Sequence, residues 1–276
     1  MQQIAVNAAE PKRAFVPQKP NTRRFRTFRV VAALILRETG SRETRTSLGF
    51  LWNMIDPIAS VIVLTLAFSI LTKNPPLGTN FPLFYITGVL PLALYNQIEA
   101  KVAGSIGFSR PLLGFPAVTV LDALLARFLL NLFTNVLVFV ALASIIIAHY
   151  HLRLTIDFGS AMLSMTMGAA LGLGIGAMNS VLFLASPTYQ SIWNIATRPQ
   201  MLVSGVFFLI NGLPEYIFKY LKWNPLAQVI AEMRHAFYPN YDSSFVNPAY
   251  VFLIAGITFT LGMVGLHRYV FDALEK

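Results

Sequence analysis

The chain contains no cysteine, so a disulfide, a thiolate metal site and a cysteine nucleophile are all excluded. Charge is nearly as scarce: 12% of the 276 residues are Asp, Glu, Lys or Arg, about half the share of an ordinary soluble domain. With 55% of residues hydrophobic, the chain lacks the polar surface a water-soluble fold of this length needs, and lipid is the solvent to reason in. No phosphate-cradling loop is present, because none of the lysines follows a glycine. Gly-x-Ser-x-Gly and zincin motifs are missing too. His149 and His151 lie two apart beside Tyr150 without a third ligand nearby, which reads as solvated loop. The expectation is therefore no catalytic residues and no metal site. Residues 1–24 are polar and basic without an apolar core segment, so no cleaved leader is expected and the first span serves as its own signal.

What the chain has in quantity is long apolar runs. A helix crosses the hydrocarbon core in about 20 residues, and six stretches qualify: 51–72, 81–99, 124–148, 159–185, 189–210 and 248–267. The fifth carries Arg198-Pro199 near its middle, so a break is expected there. The formal charge of +9 is placed unevenly: ten of the 21 Lys and Arg precede the first span, from Lys12 to Arg45. With that segment inside, six spans return the C-terminus inside, and sixteen basic residues face the cytoplasm against five outside. Both termini are thus expected to be cytoplasmic.

Two segments are not simple spans. In 25–45, Phe25, Phe28, Ala32 and Ile35 or Leu36 recur at helical spacing away from Arg24, Arg29 and Arg37, which describes a basic amphipathic helix in the headgroup layer. Segment 211–240 is too charged to span and too apolar for a plain loop, and reads as two short helices dipping into the outer leaflet, broken at Asn224-Pro225. Residues 1–24 have the composition of a disordered extension. The fold class expected is an all-α membrane protein: six transmembrane helices, an N-terminal amphipathic interface helix and an external re-entrant helical hairpin.

Inside the spans, Gly168, Gly172 and Gly176 repeat every four residues, a face suited to close helix packing. Asn131 and Asn135 share a face and fit either packing or a wet path. Asp56, Glu99 and Asp122 are carboxylates that lipid makes costly; Asp56 and Asp122 fall near span starts as boundary charges, and no span clearly carries an ionisable group at mid-membrane to suggest proton coupling. Aromatics concentrate at span ends as an interfacial belt. Those in span interiors can stack on the C–H faces of sugar rings without holding one sugar tightly, and Trp52, Tyr85, Tyr95, Tyr189, Trp193, Phe207 and Phe208 are the candidates.

The segment RETGSRETRTSLGFLWNMIDP, residues 37–57, resembles the start of the polysaccharide-export permeases of the ABC type-2 class. The resemblance rests on Arg37, Glu38, Arg42, Arg45, Leu48, Gly49, Trp52, Asp56 and Pro57, in order and spacing. A second match, WNPLAQVIAEMRHAFYP, supplies Asn224, Pro225, Leu226, Glu232 and Arg234. Together they extend the likeness over roughly residues 28–270, with the capsule-exporting branch nearest. The resemblance implies a homodimer of permeases bound to two cytoplasmic ATPase subunits that carry ATP and Mg, with no cofactor on this chain. It implies lipid-linked polysaccharide as cargo, a bacterial inner-membrane location, and periplasmic and outer-membrane export partners. It also implies a coupling helix at about Gly104–Phe115, including Gly104, Ser105, Ile106, Phe108, Arg110 and Pro111, and an external gate at 211–240 carrying Trp223, Asn224, Pro225, Glu232 and Arg234. The basic extension 1–24 has no counterpart in that pattern.

The function expected is therefore a permease for capsular polysaccharide, energised by a partner. O-antigen export shares the same plan and is the nearest alternative. A membrane-embedded enzyme acting on lipid-linked sugars would need clustered acidic or histidine residues in one accessible loop, and the loops offer only scattered ones.

Overall fold

The computed structural model describes residues 26–43, 49–113 and 118–274, with the side chains of 26, 38–43, 49–54, 56, 110–113 and 269–274 left out of the description. The expected extension 1–24, Arg45 and Leu48 lie outside the described residues, as do the side chains of Glu38, Arg42, Trp52, Asp56, Arg110 and Pro111.

Among the described residues the secondary structure is entirely helical. The helices are α1 (Arg26–Glu43), α2 (Gly49–Leu71), α3 (Phe81–Ala103), α4 (Ser105–Leu113), α5 (Val120–His149), α6 (Phe158–Ala185), α7 (Pro187–Ala196), α8 (Gln200–Val203), α9 (Glu215–Leu221), α10 (Pro225–Phe237) and α11 (Pro248–Leu274). Their ends are written locally. Asn80 accepts from Leu83 N–H at 3.0 Å to start α3, and Asp157 accepts from Gly159 and Ser160 N–H to start α6. Asp122 closes a capping box with Thr119 at the start of α5, which accounts for a carboxylate at a span end.

Among the described residues, four helices are long and apolar enough to cross a membrane: α3, α5, α6 and α11 through Arg268. This is fewer than the six expected. In α2 the apolar part of the described chain is the shorter Pro57–Leu71. The expected span 189–210 is not one helix: α7 ends at Ala196, α8 starts at Gln200, and the chain then turns at Gly205, whose φ of +79° favours glycine. Pro199 is the local cause, having no N–H to donate and restricting Arg198 before it.

The centre of the bundle is α6, which packs on α3 along one side and α11 along the other. A Cβ at Gly172 would meet Ile98 at 2.9 Å, and one at Gly176 would meet Val102 at 2.8 Å and the Glu99 carbonyl at 2.9 Å. The glycine face is thus filled by α3 and lines no conduit. Asn131 and Asn135 also serve packing: both are buried, donating to the Arg127 and Asn131 carbonyls, and Asn135 also reaches Gln97 at 3.1 Å. α10 is buried almost all round, although it was expected as a helix dipping into the leaflet from outside. It lies against α6, α3 and α11 near the end opposite α4: the Ser164 hydroxyl donates to the Val229 carbonyl at 2.6 Å, and Asp157 N–H to the Ala236 carbonyl at 2.9 Å.

Candidate functional site

Three groups of predicted residues come together. The first surrounds α4, which occupies most of the expected coupling segment 104–115. Ser105, Ile106 and Ser109 are buried, whereas Gly104, Gly107 and Phe108 face out. The Phe108 ring lies between two guanidinium groups, Arg37 of α1 at 5.0 Å and Arg127 of α5 at 4.1 Å. Arg127 also donates to the Lys101 carbonyl at 2.9 Å, tying α5 to the last turn of α3. Thus Arg37, expected in the interface motif, and Phe108, expected in the coupling loop, share one contact. On α1, Val31 is buried against the bundle, while Phe28 and Leu36 of the apolar stripe are exposed.

The second and third groups divide the candidate channel aromatics. Tyr95, Tyr189 and Trp193 gather where α7 and α8 meet the second half of α3. Tyr189 stacks on Trp193 with centroids 6.2 Å apart and planes at 24°, and Tyr189 also meets Phe183 at 6.0 Å. Beneath the rings, the Asn179 amide donates to Glu99 at 2.6 Å, and the Tyr189 hydroxyl donates to Asn179 at 3.2 Å. The Trp193 indole N–H is buried beside the Glu99 carboxyl without full hydrogen-bond geometry. α3 runs four residues past its expected end at 99, so Glu99 sits within the helix and is buried. The pattern of spans leaves this carboxylate without an account, and Asn179 supplies its partner.

Nearer the other end, Tyr85 and Phe207 meet through Phe68, with centroids 5.6 and 5.7 Å from it. Arg234 organises this group from α10. Its guanidinium donates to the Phe208 carbonyl at 2.8 Å and the Val206 carbonyl at 2.9 Å, and lies 4.4 Å from the Phe84 ring. Burial pulls Arg234 down from its ordinary value to about 10, opposed by Tyr241 and Tyr238, which leaves it charged at neutral pH. Asn224 caps α10 and donates to the Val203 carbonyl at 3.2 Å. The irregular stretch 203–208 is therefore clamped from both ends of α10, which satisfies backbone carbonyls that lipid could not. Glu232 is buried on α10, and Trp223 is exposed, edge-on to Tyr250 at 5.5 Å.

Phe68, Phe84, Arg127, Asn179 and Gln200 were not singled out as site residues. Asn179 carried a usable signal, an amide in an otherwise apolar span; its partner is 80 positions away.

The features assembled here define a class: a helical membrane bundle with a short docked helix at one end, a buried cap helix toward the other, and aromatic rings between. More specifically, the chain belongs to the ABC-2 type transporter family, whose model matches residues 29–238. It is similar to the polysialic acid transport protein KpsM of Escherichia coli, 28% identical over 234 residues, 84% of this chain and 90% of that protein. It is also similar to the capsule polysaccharide export inner-membrane protein CtrC of Neisseria meningitidis serogroup B, 26% identical over 242 residues, 87% of this chain and 91% of that one. The O-antigen export system permease protein RfbA of Myxococcus xanthus is 33% identical over 92 residues, 32% of this chain and 34% of that protein.

Proposed function

We propose that this chain is the permease subunit of an ATP-driven exporter that carries lipid-linked capsular polysaccharide across the bacterial inner membrane. The observation that carries the reading is the family match over residues 29–238 together with likeness to capsule and polysialic acid transport proteins along 84–87% of the chain. A partner ATPase subunit binds and hydrolyses ATP with Mg, and the outward face of α4, with Phe108 between Arg37 and Arg127, is where it docks. Arg110 and Pro111 extend that contact. Two copies of the chain pair to enclose the path, α2 and the broken α7–α8 segment complete the six crossings, and both termini are cytoplasmic. Of the candidate rings, Tyr189, Trp193, Phe207 and Phe208, with Trp52, offer ring faces to a sliding polymer, whereas Tyr85 and Tyr95 are buried in the core and support them from behind. The segment carrying α9 and α10 is the external gate: Glu232 and Arg234 brace it from within, and the exposed α9 with Trp223 beside Asn224 and Pro225 is the side that meets periplasmic and outer-membrane export proteins.

The segment shared with the O-antigen permease supports O-antigen polysaccharide as the second reading. Deleting the gene tests the proposal: finished polymer should accumulate in the cytoplasm and disappear from the surface. Unchanged surface polymer would sink it, and loss of O-antigen with capsule intact would favour the second reading.

A further inference from the structure

α7 presents two of the candidate rings, yet none of its ten residues is buried. Apolar packing alone gives such a helix little reason to keep one rotation or depth, and in lipid there is no hydrophobic drive to dock it. Besides the Trp193 indole N–H beside the Glu99 carboxyl, two kinds of contact hold it. One is the ring contact between Phe183 and Tyr189. The other is a polar chain: the Tyr189 hydroxyl donates to Asn179 Oδ1 at 3.2 Å, and Asn179 Nδ2 donates to Glu99 Oε1 at 2.6 Å. Asn179 is fully buried, so both ends of its amide are engaged where water cannot substitute for either partner.

The far end of this chain lies on the element that leads into α4. Glu99 is six positions before Ser105, where α4 begins. One turn earlier on the same face of α3, Tyr95 neighbours Gln200 of α8. The last turns of α3 therefore hold α7 and α8 through polar contacts, while their C-terminal continuation carries the Phe108 contact with Arg37 and Arg127. A carboxylate inside a spanning helix is costly and is retained where it has a partner and a task.

We propose that Glu99 is a positioning residue, which through Asn179 fixes Tyr189 and hence the rotation at which α7 presents the Tyr189–Trp193 ring pair beside the α3–α4 elbow. Its role in transport rests on the reading in which those rings touch polymer. Movement of α4 then reaches the rings through α3 and this hydrogen-bonded chain, without Glu99 itself touching the cargo.

The test uses the full chain purified with partner subunits whose own tryptophans are replaced by phenylalanine, in a Trp52→Phe/Trp223→Phe background that leaves Trp193 as the single tryptophan of this chain. Acrylamide quenching reports how far the ring is from its docked position. Glu99→Leu, Asn179→Leu and Tyr189→Phe each break one link, and each should raise the undocked population about threefold, read as stronger quenching. Asn179→Asp places two carboxylates together and should do the same. Adding Glu99→Gln to it restores a donor–acceptor pair in reverse, with Tyr189 still donating to position 179, and quenching should return to the starting value. Tyr189→Phe alters only a half-buried hydroxyl and keeps the test decisive where a buried variant fails to fold. Unchanged quenching in Tyr189→Phe and Glu99→Leu at unchanged melting temperature would overturn the proposal, as would failure of the swap to restore it. Trp193→Ala in the native background separates the two readings. Normal export there overturns the contact of polymer with this ring while leaving the hold of Glu99 on α7 intact.

Discussion

Arg234→Met should loosen the stretch 203–208 without unfolding the bundle. The arginine makes two charge-assisted bonds, to the carbonyls of Phe208 and Val206, and a cation–π contact with Phe84. A hydrogen bond to a charged group is worth about 1.5–3 kcal/mol, and a desolvated cation–π contact about 2 kcal/mol or more. Against this loss stands the relief of no longer burying a charge, which commonly offsets several kcal/mol. The net expected is about 2 kcal/mol, or roughly thirtyfold in the local opening equilibrium. Because the chain has no cysteine, Val206→Cys introduces a single reporter thiol at a position with no exposed surface. Its labelling rate by a water-soluble maleimide should rise by roughly that factor when Arg234→Met is added, while the melting temperature of the whole protein moves little. Labelling within a factor of two of the parent would refute the claim that Arg234 clamps this stretch.

Three further outcomes follow from the geometry. Gly172→Leu and Gly176→Leu should each cost about 1–3 kcal/mol through overpacking against Ile98 and Val102, seen as lost monodisperse yield, whereas Gly107→Ala and Gly256→Ala, with open space around them, should be tolerated. Phe108→Ala removes the ring between Arg37 and Arg127, and should lower co-purification of the ATPase partner while leaving the yield of folded permease unchanged. The exposed Asp157 carboxyl is held below its usual range by the N–H groups of Ser160 and Gly159, so its contribution to stability is present above the unfolded value, about 3.9, and is lost as pH falls through the lower folded value. Thermal melts should show the difference between parent and Asp157→Asn shrinking over that acid window.

Much of the fold is legible because span length, proline and capping residues act locally. The helix limits at 81, 158 and 248 follow from Asn80, Asp157 and Pro248 at the starts of apolar runs, and Pro199 marks the break between α7 and α8. The burial of α10 is less visible: Glu232 and Arg234 mark its segment as too charged to span, and only the carbonyls of 206 and 208 show why an arginine belongs inside. The role of Glu99 is hidden for a similar reason, since its partner Asn179 is distant in sequence and the helix continues beyond the apolar run. Arg37 and Phe108 were each expected in functional segments, but sequence spacing gives no sign that they touch. The candidate rings were chosen as interior aromatics, and their division into one group on Glu99 and Asn179 and another around Phe68 and Arg234 depends on tertiary contacts alone.

The central claim is that this chain moves polysaccharide when a partner hydrolyses ATP. Its most direct test is transport by the purified chain and its ATPase in sealed proteoliposomes, with lipid-linked polymer supplied on the ATPase side and a polymer-degrading enzyme enclosed in the lumen. The account predicts lumenal cleavage that requires ATP and is abolished when this chain is omitted; polymer that stays uncleaved while ATP is hydrolysed, or cleavage that proceeds without ATP, would contradict it.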